Sequence, residues 1–179
     1  MSKHKYTGYL LALVAFVVLL WLDQWTKQLA VTHLMNQSDV FLIPGVLQLH
    51  YLENTGAAFS LLENKMWLFY IFTPILCGVI LYLFLRLPNK KEYHILRVIL
   101  VLLMAGALGN YIDRIQYQYV IDFIYVSLIH FPVFNVADIY VTCSVIVLFL
   151  LILFVYSDEQ WNEIVSCLKW TATQEENRF

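Results

Sequence analysis

The sequence is poor in charge and in the residues that organise metal, nucleic-acid or disulfide chemistry. Charged residues are 13% of 179, the formal net charge is −2, and no Lys/Arg cluster suggests a phosphate-binding face. A phosphate-binding face for nucleic acid is therefore excluded. There are three cysteines. Cys77 and Cys143 fall in apolar runs and Cys167 in the polar tail, and no CxxC or His/Cys grouping suggests a metal, so free thiols are expected. HExxH is absent, which leaves a zinc protease unsupported. GxSxG is absent too, and His4, His33, His50, His94 and His130 show no triad logic with a serine. A Ser60–Lys65 or Ser60–Lys27 dyad is compatible with the spacing, but nothing promotes it. No repeat and no linker interrupts the chain, so residues 1–179 are read as a single integral-membrane domain.

What is abundant is apolar. Hydrophobic residues make up 61% of the chain, and the mean hydropathy of +0.69 comes from long runs, which places the protein in the membrane class. Lys3, His4 and Lys5 precede an uncharged run, Tyr6 to Leu22, that resembles a signal peptide. The run continues into Trp21-Leu22-Asp23-Gln24-Trp25 without a small-x-small cleavage site, so an uncleaved first span is expected. Further runs follow from Met66 to Leu85, with Pro74 inside, from Ile95 to Ile112, with Arg97 able to snorkel at its start, and from Ile139 to Tyr156. The expected fold is mainly α. Four transmembrane helices lie near residues 6–26, 66–86, 95–113 and 138–156, outer loops near 28–65 and 113–138, and a tail over 157–179.

Basic residues set the expected orientation. Lys3 and Lys5 precede the first span, and Arg86, Lys90, Lys91 and Arg97 crowd the short connection between the second and third. Lys27, Lys65 and Arg114 are spread over the other side. The positive-inside rule then makes both termini cytoplasmic. Asp23, Asn54, Asp113, Arg114, Asp122, Asn135 and Asp138 all fall on the extracytoplasmic face. On that face Val46 to Leu52 shows a partial period of two between Pro44-Gly45 and Asn54-Thr55-Gly56, which predicts a small sheet on the membrane surface. Tyr119 to Val126 also alternates, as strand or interfacial segment. In the tail, Trp161, Ile164, Val165 and Leu168 follow helical spacing and suggest an interfacial helix.

The residues that carry chemistry concentrate between Gly106 and Asp138. Ionisable groups in or beside lipid are costly and so mark function. Asp122 and Asp138 are read as a catalytic pair. Two carboxylates in reach of each other cannot both ionise cheaply, so one keeps a proton while the other activates water. Asp138 also fits a helix cap, because Asn135-Val136-Ala137-Asp138 has capping-box spacing. Asp122, flanked by Val120-Ile121 and Phe123-Ile124, has few local partners. Gly106, Asn110, Asp113 and Tyr117 share one helix face, with Gly106 and Gly109 allowing close helix approach. Asp113 and Arg114 are either an interfacial ion pair or a unit in which Asp113 orients Arg114 toward substrate carbonyls. Asp23 and Lys27, four apart and acid first, are read as a structural helix pair. Asn54 would bond an extended peptide, with Gly56 allowing its backbone close approach. On these residues alone, a protease, a proton or ion carrier and a non-catalytic membrane assembly factor all stand.

Five blocks in order carry a resemblance: Asp23-Gln24-Trp25-Thr26-Lys27, Asn54-Thr55-Gly56-Ala57-Ala58-Phe59, Gly106-Ala107-Leu108-Gly109-Asn110-Tyr111-Ile112-Asp113-Arg114, Val120-Ile121-Asp122-Phe123 and Phe134-Asn135-Val136-Ala137-Asp138. Together they resemble the lipoprotein signal peptidases (signal peptidase II), aspartic proteases of the bacterial cytoplasmic (inner) membrane. The tail beyond Tyr156 carries none of it. The resemblance implies cleavage of prolipoproteins just before a diacylglyceryl-modified cysteine. It makes Asp122 and Asp138 catalytic, and Asn54, Asn110, Asp113, Arg114 and Asn135 supporting or substrate-binding. It implies no metal or cofactor, and inhibition by the cyclic depsipeptide globomycin. A monomer is expected.

Overall fold

The computed structural model describes residues 3–56 and 66–168. Ala57-Ala58-Phe59 of the second block, Ser60, Lys65 and the tail beyond Leu168 lie outside the described residues. In chain order the elements are helix α1 (Lys3–Leu34), strands β1 (Val40–Ile43) and β2 (Leu47–Asn54), helices α2 (Met66–Arg86) and α3 (His94–Tyr117), strand β3 (Val120–Tyr125) and helices α4 (Val136–Leu150) and α5 (Asp158–Leu168). Among the described residues, four helices are long and apolar enough to cross a membrane. Their large hydrophobic side chains are mostly exposed, as a lipid solvent requires. α3 is the exception. A third of its most apolar window is buried (33%), against 6% in the first span, because it packs against α1, α2 and α4 at once.

Two helices overrun the expected spans. The sequence places the end of the first span near 26 and an outer loop from 28. The helix instead runs to Leu34 and stops where Asn36 takes a left-handed conformation (φ 59°). The added turns carry Ala30, Val31 and Leu34 on one face, and these pack beneath Ile121 and Phe123 of β3. The extension is thus the floor of the sheet, built from an amphipathic period diluted by Gln28, Thr32 and His33. Similarly, α3 passes 113 and ends at Gln118 (φ 66°), whose N–H returns to the Arg114 carbonyl.

The sheet has the order β1-β2-β3, antiparallel throughout. The β1–β2 turn is tight because Pro44 presets φ and Gly45 supplies a positive one (φ 74°), closed by Val46 N–H to the Ile43 carbonyl at 2.9 Å. β2 and β3 match the two alternating segments seen in the sequence. β1 was not legible there, since all four of its residues are exposed and its run does not alternate. Pairing of Asn54 with Val120 and of Leu52 with Asp122 puts Asn54 and Asp122 diagonally on one face. Ile121 and Phe123 point to the opposite face, toward α1.

At the other end of the bundle α5 lies against the α2–α3 connection. Ile164 is buried with Leu87, Tyr93 and Leu96. Tyr93 Oη and Lys90 Nζ both donate to Glu163 Oε2, at 2.8 and 2.7 Å. The helical spacing read in the tail is therefore a docking face as well as an amphipathic one.

Candidate active site

The site is assembled from four separate segments that topology delivers to the end of α3. The deepest layer starts on α1. Lys27 is 1% exposed, and its three ammonium hydrogens meet Asp23 Oδ2 at 3.0 Å, Asp113 Oδ2 at 2.9 Å and Asn110 Oδ1 at 2.9 Å. A buried cation is tolerable only when paired and fully bonded, and here each donor has an acceptor. Asp23 Oδ1 also accepts from the Ala137 backbone N–H (2.9 Å), which ties α1 to the first turn of α4. Asp113 Oδ2 accepts from Ile121 N–H (3.2 Å), which ties α3 to β3. Gln24 Nε2 bridges Asp23 Oδ2, Asp113 Oδ1 and the Gly109 carbonyl. So Asp23 and Lys27, read from sequence as a local helix pair, are the centre of a network joining three helices and a strand.

Glycine makes this closeness possible. A Cβ on Gly109 would fall on Asp23 Oδ2, and one on Gly106 would lie 2.6 Å from the Ala137 carbonyl oxygen. The close approach expected at both positions is present, to a carboxylate of α1 in one case and to the α4 backbone in the other.

Above the ion cluster lies a layer dressed by amides. Asn110 Nδ2 donates to Asp138 Oδ1 (2.8 Å), while its Oδ1 accepts from Lys27 and from Asn135 Nδ2 (3.0 Å). Asn135 Nδ2 also donates to Asp122 Oδ1 (2.7 Å), and Asn54 Nδ2 donates to Asp122 Oδ2 (2.8 Å). Asn135 and Asp138 form a complete capping box at the start of α4. The cap reading of Asp138 is therefore correct, yet it consumes only part of that carboxylate: Oδ2 takes the Asn135 N–H and Oδ1 faces Asn110. Asp122 and Asp138 flank the same residue, Asn135, and both line one cleft of about 1070 Å³. Asp122 is 1% exposed. Burial pushes its carboxyl up to about 7 against the pull of the Asn54 hydrogen bond, and the neighbouring Asp138 charge adds to the rise.

Arg114 forms a side wall. Its guanidinium lies over the Phe69 ring at 4.0 Å and donates to the carbonyls of Asn110 and Gly56. Gly56 N–H donates to Asn54 Oδ1 (2.9 Å), so Arg114 and Asn54 hold the same turn from two sides. Asp113 does not orient Arg114. Adjacent on a helix, the two diverge, and Asp113 is taken by Lys27, Gln24 and Ile121. Gln24, Phe69 and Tyr70, whose hydroxyl donates to the Arg114 carbonyl (2.9 Å), were not singled out from sequence. Gln24 sits beside Asp23 on α1, which was a usable signal. The two aromatics in an apolar run gave none.

The rest of the cleft is mixed. Ile139, Val141 and Cys143 of α4 and Phe131 give an apolar side, and His50, Tyr125 and His130 a polar one. His50 Nδ1 lies 2.8 Å from Asp39 Oδ1.

Comparison with known proteins places the chain among relatives of one family. A family model described as signal peptidase (SPase) II matches residues 15–154. A lipoprotein signal peptidase of Enterococcus faecalis is 43% identical over 133 residues, covering 74% of this chain and 81% of that protein. One of Latilactobacillus sakei is 42% identical over 144 residues (80% and 94%). One of Streptococcus thermophilus is 39% identical over 139 residues (78% and 90%). Among solved structures, a bacterial membrane enzyme determined by the in meso method at 2.3 Å superposes with a TM-score of 0.71 at 33% identity, covering 79% of this chain and 87% of the other. A second, at 1.9 Å, gives 0.69 at 34% identity (81% and 94%).

Proposed function

The chain belongs to the signal peptidase II family, multi-pass membrane endopeptidases that remove signal peptides from prolipoproteins, and from that premise we propose that Asp122 and Asp138 cut the bond just before a diacylglyceryl-modified cysteine. The observation that carries the assignment is the pair of carboxylates on either side of Asn135, bonded by amides: Asp138 half-buried, Asp122 buried with its carboxyl pushed up to about 7.

In this mechanism Asp138 is the base. Its carboxylate, held at the positive end of α4, takes a proton from water as the oxygen attacks the scissile carbonyl carbon. Asp122 is the acid. Its proton passes to the leaving nitrogen as the C–N bond breaks, giving a free carboxyl on the signal peptide and a free amine on the lipidated cysteine. Neither step forms a covalent acyl-enzyme. Asn54 and Arg114 bound the cleft where an extended peptide would lie, and Ile139, Val141 and Cys143 offer an apolar wall to the acyl chains. Asp23, Lys27 and Asp113 hold the ends of α1, α3 and α4 in register beneath.

The same reading makes the protein a monomer in a bacterial cytoplasmic (inner) membrane, with both termini cytoplasmic and the cleft on the extracytoplasmic side. Globomycin, as a compact cyclic peptide, would occupy the cleft over Asp122 and Asp138. The test is incubation of the purified protein with a diacylglyceryl-modified precursor, with and without globomycin. Cleavage that globomycin blocks is expected. Equal turnover of an unlipidated precursor would overturn the substrate assignment.

A further inference from the structure

A second cavity, of about 650 Å³, opens between α1 and α3 at the end of the bundle away from the carboxylates. Arg97, at its mouth, lies sixteen residues before Asp113 on α3, or about 24 Å at helical rise. The cavity exists because α1 turns small residues to it. Gly8, Ala12 and Ala15 recur at spacings of four and three, and a Cβ built on Gly8 would meet nothing within 4 Å. Val98, Val101 and Leu102 of α3 form the facing wall. The interior is thus hydrocarbon in character over most of its length.

Arg97 is the exception. One guanidinium nitrogen donates to the Leu87 carbonyl (2.7 Å), and the group sits 5.8 Å from the Tyr9 ring centre and 5.4 Å from that of Phe84. Among the described residues it has no carboxylate partner, and its Nε is buried without a hydrogen-bond partner. A cation left in such a setting favours an anion. Lys27 satisfies the same requirement at the other end with two aspartates. Asn89 and His94 stand beside Arg97 at the mouth and supply further polar contacts.

We propose that this cavity binds a membrane phospholipid with an anionic headgroup, its phosphate against Arg97 and an acyl chain along Gly8, Ala12 and Ala15. Guanidinium and phosphate match in geometry and charge. A zwitterionic lipid would fill the same space but leave Arg97 without net neutralisation. A signal peptide is a poor occupant, because its basic amino-terminal region would meet Arg97 with like charge. In the orientation given above, the bound lipid belongs to the cytoplasmic leaflet, whose anionic lipids attract basic groups.

The test uses the full-length protein, purified in non-ionic detergent and offered equal amounts of phosphatidylglycerol and phosphatidylcholine with matched acyl chains. Native mass spectrometry reads the lipid retained. The wild type is expected to favour phosphatidylglycerol by about five-fold. Arg97→Gln should bring the ratio near one, and Arg97→Lys should keep it above one. Ala12→Phe, which fills the groove, should reduce retention of both lipids. Millimolar inorganic phosphate should leave phosphatidylglycerol bound, since it brings no acyl chain. Equal retention of the two lipids by the wild type, an unchanged ratio in Arg97→Gln, or displacement by inorganic phosphate would overturn the proposal. If Arg97→Gln does not stay monodisperse, wild-type retention in Ala12→Phe does so instead.

Discussion

The polar centre of this molecule has two layers that use the same residue type for opposite ends. In the lower layer, Asp23 and Asp113 share the ammonium of Lys27, and every donor is matched. In the upper layer, Asp122 and Asp138 meet the side chains of Asn54, Asn110 and Asn135, which are neutral. A shared cation ties two carboxylates into one bonded cluster. Amides orient carboxylates without neutralising them, so burial and mutual repulsion make one of the pair retain a proton. The lower layer is therefore a joint between helices, and the upper one holds the proton that the proposed mechanism uses. Asn110 belongs to both, accepting from Lys27 and donating to Asp138.

Substitutions that exchange the properties of the layers test this division. The largest effect is expected from Asp122→Asn or Asp138→Asn, which keep the shape but remove the acid or the base. Cleavage of a lipidated precursor should fall on the order of 10⁴-fold, with membrane insertion unchanged. Substantial turnover in either variant would end the catalytic assignment. Next is Lys27→Met, which leaves two buried carboxylates facing each other. A loss of about 3–5 kcal/mol in unfolding stability is expected, read by thermal denaturation in detergent. A near-neutral result would mean that the lower layer is not a structural joint. Gly109→Ala pushes a methyl against the Asp23 carboxylate, and a loss of about 1–3 kcal/mol should follow in the same assay.

Smaller effects sharpen the upper layer. With Asp122 as the acid, its carboxyl at about 7, activity should decline as pH rises through about 7, because the proton to be donated is lost. The Asn54 hydrogen bond favours the ionised form. Asn54→Ala should therefore move the alkaline limb of the pH–rate profile to higher pH, and a move to lower pH would contradict the assignment. The smallest effect is far away. Lys90 pairs with Glu163 at 2.7 Å, but the Lys90 side chain is 52% exposed. Lys90→Ala should leave melting temperature and turnover at wild-type values, as solvated pairs contribute little.

Sequence by itself determined the four spans, two of the three strands and the candidate site residues. Long apolar runs have no stable place but lipid, and polar groups beside such runs are few enough to be conspicuous. Asp138 could be read in two roles at once; the cap is present, and the catalytic role is the one proposed above. The tertiary structure alone decided which charges meet. Lys27 pairs with Asp23 one helical turn away, as the i,i+4 order suggested, but also with Asp113, far along the chain. Asp113 faces Lys27 and not its neighbour Arg114. The overrun of α1 to Leu34 was likewise settled by the floor that β3 needs. Hydropathy is a local sum and can be read one residue at a time. Pairing of buried charges depends on distances between segments, and only packing through Gly106 and Gly109 fixes those.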